Sequence, residues 1–479
     1  MEEYQVKLNI CNIFKKYNTY NELKNYLINK YNNIIFKDQH PELAMITSKF
    51  TKEAHLLDTV QKECRSMIID KKTLKIVCYT YDDILFNDQA KDFLLNNSEL
   101  EKKIYECFEG TLVSVYNYNG KWYMSTRKCI DARKSKWAND MSFYDMFVDC
   151  LDCSYEEFLS HLKPELNYFF VIVHHKNKNI VDYTEQFGEK YKKIVHILTR
   201  NQSSLEEYDL KDPNIFNKPI EFVNPKEYSD LSTLNEDNLI NNIKLPITRE
   251  GLIIKLFDSS NNKTYLLKLQ NNCYKFLSLI KPNHKNIIFN FIELYQSDLL
   301  KKHTDFFNSN CVIKDQFSDN KYDTIGMVDT IFKVFTSELF EMFRYLYNFK
   351  DCSHKNRDLY DILPNEYKVV IYTIRGIYYS KKEKYIKMKI ENKIDDNIKL
   401  VNTTSGLRIA DIYLMLKKYD NQNLIKLLRT KKQFYIKYIQ TPTKYTETLK
   451  SFSKKCEDIP YKLSLILLNN LFPDEPLID

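Results

Sequence analysis

An α+β core of antiparallel sheets with flanking helices, followed by an all-α C-terminal domain, is the fold class that this sequence predicts. Three observations predict it. Before residue 278, short β-branched and aromatic runs alternate with polar turns. After that point, apolar residues recur at helical spacing. The length of 479 residues also exceeds one ordinary compact core. Two domains are therefore expected, residues 1–277 and residues 278–479.

The strands are read from period-two alternation between polar breaks. They are Ser66 to Ile69, Thr111 to Asn117, Lys121 to Thr126, Tyr168 to Val173, Ile194 to Leu198, Gly251 to Phe257 and Thr264 to Leu269. Val115 to Tyr123 reads as a hairpin turning at Asn119-Gly120, because both residues tolerate positive φ. Tyr20 to Tyr31 and Ser142 to Leu162 read as helices. Residues 200–245 are polar and broken by Asn, Asp and Pro, which suggests an excursion of loops and short helices. In the second domain, Ile409, Ile412, Tyr413 and Leu416 recur at i, i+3, i+4 and i+7. Asp329 to Tyr347 and Glu366 to Tyr379 behave similarly. Gly376 is an odd glycine for a helix interior, and it reads as a close helix crossing or a helix end.

Composition removes several function classes. The chain has 71 Lys+Arg against 64 Asp+Glu, a mild excess that permits a polyanionic partner without demanding one. Met1-Glu2-Glu3-Tyr4 is acidic with no apolar core behind it, so no secretory signal is expected. No apolar run approaches ~18 residues, which excludes an integral membrane protein of the helical kind. Cysteines are scattered, and Cys150-Leu-Asp-Cys153 is a lone CxxC, so buried thiols in a reducing compartment are favoured over a metal site. His174-His175 reads as two satisfied imidazoles pointing opposite ways rather than as metal ligands. Only 7 glycines are present, while Lys, Asn, Ile and Tyr abound, which are residues of AT-rich codons. An AT-rich genome follows as the source, such as a large DNA virus, a linear plasmid or a parasite, and Lys abundance alone becomes weak evidence for nucleic acid.

Scarcity makes two glycines informative. Gly110 in Cys107-Phe-Glu-Gly and Gly251 in Arg249-Glu-Gly each follow a glutamate and open a strand. A glycine there lets the backbone approach a ligand closely, and two strand-entry turns are the other reading.

At this point the sequence resembles the ATP-dependent RNA ligases of the bacteriophage tRNA-repair type, within the covalent nucleotidyltransferase superfamily of ligases and capping enzymes. The form is degenerate, like those of large DNA viruses. The similarity covers roughly residues 55–280. Glu63-Cys64-Arg65-Ser66-Met67-Ile68-Ile69 is similar to the family's Glu-Cys-Arg-Gly strand, whose arginine faces nucleotide phosphates. Asp83-Ile84-Leu85-Phe86-Asn87 is similar to a Lys-Phe-Phe-Asn segment. Cys107-Phe108-Glu109-Gly110 stands at the nucleophile motif K-x-D-G. Lys121 to Arg127-Lys128 and Val195 to Arg200-Asn resemble later core strands. Arg249-Glu250-Gly251 matches the Glu-Gly motif, and Lys268-Leu-Gln270 the final Lys-x-Lys. The resemblance implies a nucleotidyltransferase (ATP-grasp-like RNA ligase) core with ATP and Mg as cofactors. In the family a lysine amine attacks the α-phosphate of ATP and forms lysyl-AMP, while basic residues neutralise the phosphates in flight.

The departures fall on the chemistry. Cys107 stands where the attacking lysine belongs, Ile84 replaces an upstream phosphate-side lysine, and Gln270 replaces the second lysine of the last motif. Tyr168 to Val173 carries no acid where the third motif has a glutamate. Loss of the amine removes the covalent step itself. A pseudoenzyme is therefore expected, one that binds RNA ends or a nucleotide, or scaffolds a protein partner. Arg65, Glu109, Gly110, Arg127, Glu250, Gly251 and Lys268 would line its nucleotide-binding cleft, and the metal ligand is not specified. An active ligase with a displaced nucleophile is the alternative, with Lys121, Lys103 and Lys128 as candidates. A structural virion or assembly protein is another. The basic and aromatic stretch Ala132 to Trp137 reads equally as an RNA-stacking surface or a helix entry. Lys381, Lys382, Lys384 and Lys387 read as a solvated helix face or an extension of an RNA-binding one. The expected location is the cytoplasm of an infected host cell, with packaging in a virion as a variant of it.

Overall fold

The computed structural model describes residues 5–48, 57–136, 141–177, 179–232, 246–260, 262–281, 287–309, 322–347, 353–391 and 406–435. Trp137 and residues 233–245 lie outside them. The chain divides into two compact units, Met1–Ser278 and Leu279–Asp479.

The first unit is built on three sheets. Helices α1 (Asn9–Phe14) and α2 (Tyr20–Lys30) precede β1 (Ile34–Lys37) and β2 (Leu43–Ser48). After α3 (Thr59–Glu63) come β3 (Met67–Asp70) and β4 (Ile76–Cys78), which complete an antiparallel sheet in the order β1-β2-β3-β4. Thr19 starts α2 by accepting the Glu22 N–H, and Leu23 and Leu27, one turn apart, are fully buried. Next come β5 (Leu85–Phe86), α4 (Asn87–Asn96), β6 (Glu101–Cys107), β7 (Thr111–Tyr118) and β8 (Lys121–Thr126). The hairpin between β7 and β8 turns at Asn119 (φ 51°) and Gly120 (φ 77°), with Tyr118 facing Lys121, as the dipeptide predicts.

The expected helix from Ser142 to Leu162 is two helices, α5 (Phe143–Asp149) and α6 (Tyr155–Ser160). Ser154 Oγ accepts the Glu157 N–H and starts a second helix, so the Cys150 to Cys153 stretch is the turn between them. Then follow β9 (Leu166–His174), α7 (Thr184–Phe187), β10 (Lys192–Asn201), β11 (Glu207–Tyr208), β12 (Glu227–Tyr228), β13 (Gly251–Asp258), β14 (Lys263–Gln270) and α8 (Asn272–Ile280). The second sheet runs β11-β10-β9-β7-β8 and the third β12-β6-β13-β14-β5.

All nine residues of β9 are buried, because the strand is central and covered on both faces. Tyr168, Phe170 and Ile172 meet Phe143, Phe147 and Phe158 of α5 and α6. Phe169 faces the other way, onto Leu43, Met45 and Ile68 of the first sheet and Leu266 of the third. On the third sheet, Ile104, Leu252, Ile254, Leu267 and Leu269 pack under α4. Alternation therefore turns Tyr105, Cys107, Ile253, Lys268 and Gln270 to the opposite face.

Two buried polar groups hold the core. Glu63 is fully buried and caps α1, accepting the N–H groups of Asn9 (2.9 Å) and Ile10 (2.8 Å). Lys263 reaches the same carboxylate at 3.3 Å and Asp82 at 2.6 Å. His196 sits among Phe170, Phe216 and Phe222, with its Nε2 2.8 Å from Thr199 Oγ1. Burial pushes its pKa down to about 3. The unfolded chain thus takes up a proton below pH ~6.5 that the folded chain refuses, so stability falls as pH drops. Between pH 6.5 and 5 this group alone should cost about 2 kcal/mol. Thermal melts across that range should show a shallower loss in His196→Phe; an unchanged slope would contradict this assignment.

The second unit is helical throughout its described residues: α9 (Ile287–Gln296), α10 (Leu300–Ser309), α11 (Tyr322–Leu346), α12 (Arg357–Ile362), α13 (Asn365–Ile390), α14 (Ile409–Leu416) and α15 (Asn421–Tyr435). Phe291, Phe332, Phe335, Leu339, Ile371 and Leu416 share its core. Gly376 is neither at a helix end nor at a close crossing. It lies inside α13, and a Cβ there would meet nothing within 4 Å. No described helix is long and apolar enough to cross a membrane.

Candidate functional site

Strand register assembles the site. Across β6, β13 and β14, Cys107, Gly251 and Gln270 form one row, and Tyr105, Ile253 and Lys268 another. Gly251 keeps the rows close: a Cβ on it would lie 2.1 Å from the Leu269 carbonyl oxygen and 2.8 Å from Gln270 Cα. Glu250, immediately before it, carries the carboxylate that joins the cluster. Its Oε1 accepts Lys268 Nζ at 2.6 Å and Gln270 Nε2 at 2.9 Å. Its Oε2 accepts the Cys107 thiol at 3.4 Å. Glu250 thus joins the Lys268 ammonium to the Cys107 thiol.

The segment entering α4 closes this group. Phe86 pairs with Lys268 in parallel register, and the Lys268 amine stands 5.9 Å from its ring centroid. Asn87 and Gln270 exchange hydrogen bonds, Gln270 N–H to Asn87 Oδ1 at 3.0 Å and Asn87 Nδ2 to Gln270 Oε1 at 3.1 Å. Gln270 is thus fixed as a neutral partner of Glu250 where a second lysine is expected.

Burial, with Glu250 beside it, pushes the Cys107 thiol well above its ordinary range, against the pull of Lys268. It is a protonated donor, not a thiolate. Burial works against the Lys268 charge too. The Glu250 carboxylate, at 2.6 Å, outweighs it and holds the ammonium protonated. The side chains of Lys268 and Glu250 are only 16% and 5% exposed, so this ion pair is largely shielded from water.

Glu109 and Gly110 follow Cys107 directly, but the Glu109 carboxylate turns elsewhere. Its Oε2 accepts the N–H groups of Ile180 (2.6 Å) and Val181 (2.7 Å), and its Oε1 accepts the Tyr274 hydroxyl (3.1 Å). The Glu109 N–H donates to Tyr183 Oη at 2.6 Å. Glu109 therefore ties the loop before α7, and α8, to the start of β7. A Cβ at Gly110 would lie 2.3 Å from the Ile172 carbonyl oxygen, which explains the glycine.

Arg65 and Arg127 belong to a second charged group around Asp83. Arg65 is buried, and its Nη1 donates to the Asp82 carbonyl at 3.3 Å. Burial and the nearby Arg127 push its pKa down to about 9, with Asp83 opposing. Arg127 is exposed, and its carbonyl accepts the Ser66 hydroxyl at 2.8 Å. Residues 83–87 connect the two groups: Asp83 lies by the arginines, and Phe86 and Asn87 lie by Lys268 and Gln270.

Lys103 pairs with Asp209 at 3.2 Å, while Lys121 and Lys128 are exposed. The hydrogen bonds to Glu250 come instead from Lys268, Gln270 and Cys107. Arg200 is a core residue, donating to the carbonyls of Thr80 (2.8 Å) and Leu205 (2.7 Å) beside the rings of Tyr79 and Tyr81. His174 and His175 do not point opposite ways; their rings stack at 4.7 Å, because β9 ends between them. His174 meets Asp149 at 2.9 Å, and His175 meets the Tyr191 carbonyl at 3.2 Å. Arg133 stacks over Tyr144 at 4.1 Å, and Lys381 pairs with Asp411 at 2.5 Å. Among the described residues no three His, Cys, Asp or Glu side chains converge on a metal position. Glu250 is the carboxylate of the cluster, a donor set that suits magnesium only when nucleotide phosphates complete the shell.

No protein-family model matches the chain. Two curated viral proteins are similar to it. The "Immediate-early protein ICP-46 homolog" of Invertebrate iridescent virus 3 is 23% identical over 245 residues, covering 49% of this chain and 50% of that protein. A candidate bifunctional polynucleotide kinase/RNA ligase of Autographa californica nuclear polyhedrosis virus is 25% identical over 192 residues, covering 37% of this chain and 25% of that protein. The chain thus spans half the length of one relative and a quarter of the other. Among solved structures, an archaeal ATP-dependent RNA ligase aligns with a TM-score of 0.37 and 12% identity, over 67% of this chain and 78% of that one.

Proposed function

We propose that this chain is an RNA-ligase-like protein of viral origin that holds the phosphate of an RNA end or a nucleotide, and that residue 107 no longer forms the covalent bond to AMP. One observation carries the proposal. At the position of the attacking amine stands a buried thiol, kept protonated and hydrogen-bonded to Glu250. The polynucleotide kinase/RNA ligase relative supports the ligase-like reading.

The retained cations set the ligand. Lys268, Arg65 and Arg127 are basic groups placed around residues 83–87, whereas Cys107, Ile84 and Gln270 contribute no charge where the resemblance expects lysines. If ATP and magnesium bind, Lys268 and the arginines would meet the phosphates and Glu250 the metal. The expected setting is the cytoplasm of an infected cell.

The test is a titration of the full chain with a single-stranded RNA carrying a 5′-phosphate and a 3′-fluorophore. Glu250→Gln combined with Lys268→Met removes the ion pair as a unit, which spares stability more than breaking it does. Loss of one charge-assisted phosphate contact should weaken binding about tenfold. Equal affinity of this folded double variant and the wild type would remove Lys268 from the ligand site.

A further inference from the structure

Resting on that reading and going beyond it, we infer that Lys268 supplies the amine that residue 107 has lost, so that a nucleoside triphosphate can load the chain from β14 instead of β6. The geometry points there. A lysine at position 107 would carry its amine three atoms past the place of Sγ, roughly 4 Å away at ordinary bond lengths. The Lys268 amine and that same sulfur meet on one carboxylate, Glu250, at 2.6 Å and 3.4 Å. The amine arrives from the second strand over, on the same face of the sheet as residue 107. A thiol at 107 leaves room for it, and a lysine there would contend for the same space.

The surroundings suit the role. Glu250 Oε1 is 2.6 Å from the Lys268 amine and fixes its direction, and Gln270 steadies that oxygen from the other side at 2.9 Å. Lys103, Lys121 and Lys128 have no such arrangement: one pairs with Asp209 and two are exposed.

The resting ammonium gives one proton to a phosphate oxygen of the incoming triphosphate. The freed lone pair of Nζ attacks the α-phosphorus of the nucleoside triphosphate. An N–P bond forms as the P–O bond to the β-phosphate breaks, and pyrophosphate leaves with that electron pair and takes the second proton from the nitrogen. A phosphoramidate on Lys268 remains.

The experiment incubates the full chain with α-phosphate-labelled ATP and magnesium, denatures it, and maps the adduct by mass spectrometry, with RNA binding measured on the same preparation. The expected result is an acid-labile adduct on Lys268. Lys268→Arg keeps a cation beside Glu250, so it should stay folded in a thermal melt while labelling falls at least about a hundredfold. Lys103→Arg, Lys121→Arg and Lys128→Arg should label normally. Nucleotide or RNA binding without any label overturns this inference, leaves the proposed function standing, and makes Lys268 a phosphate ligand only. An adduct on Cys107 or on another lysine also overturns it. Absence of both binding and label from folded protein overturns the proposed function as well.

Discussion

Lys263→Met should destabilise the first unit by about 3–5 kcal/mol, the largest loss expected from any single change in it. Lys263 is buried between two carboxylates, Asp82 at 2.6 Å and Glu63 at 3.3 Å. Glu63 is fully buried and caps α1, and Tyr79 donates to Asp82 at 2.6 Å. Without the lysine, two like charges face each other with little water to screen them. Burial already raises the Glu63 pKa, with Lys263 pulling it back. The variant should raise it further. Its folded chain then holds a proton that the unfolded chain releases, so part of the lost stability returns as pH falls through the folded pKa. Urea melts at pH 7.5 and pH 5.5 measure both effects. A loss below ~1 kcal/mol at pH 7.5 would show that the triad contributes little.

Gly251→Ala is the second large effect, and it joins stability to the site. The added Cβ would stand 2.1 Å from the Leu269 carbonyl oxygen, which is backbone and cannot swing away. β13 and β14 must part, with a cost of about 3 kcal/mol. That movement separates Glu250 from Lys268 and Gln270. RNA and nucleotide affinity should therefore fall with stability, whereas Gly120→Ala at the open β7–β8 turn should lower stability alone. Measuring both variants well below their melting points isolates the site effect. A folded Gly251→Ala that binds as the wild type does would sever the link between strand spacing and ligand.

The strands most legible in the sequence are those whose alternation is clean. Thr111 to Tyr118 and Lys121 to Thr126 are joined at Asn119-Gly120, where the turn chemistry names the register. β6 is not legible, although it is central to the third sheet. Its first half, Glu101-Lys102-Lys103, is exposed and charged, so only Ile104 and Cys107 show burial. The break between α5 and α6 was available in Ser154 as a cap, but the apolar spacing across 142–162 hides it. The glutamate-glycine pairs point to a ligand close to the backbone, whereas what lies against Gly110 and Gly251 is the backbone of a neighbouring strand. What the sequence does not contain is which groups meet. Glu109 satisfies N–H groups of residues 180 and 181, far along the chain. Lys268 and Cys107 meet on Glu250 only because β13 pairs with both β6 and β14, an order that no local pattern specifies.

The central claim is that the retained cations hold a phosphate although residue 107 has lost its amine. The most direct measurement compares wild-type affinity for one RNA with a 5′-phosphate against the same RNA with a 5′-hydroxyl, at fixed salt and with AMP as competitor. The phosphorylated form should bind at least about tenfold tighter and be displaced by AMP. Equal affinity for both ends, or no RNA binding by folded protein, would contradict it.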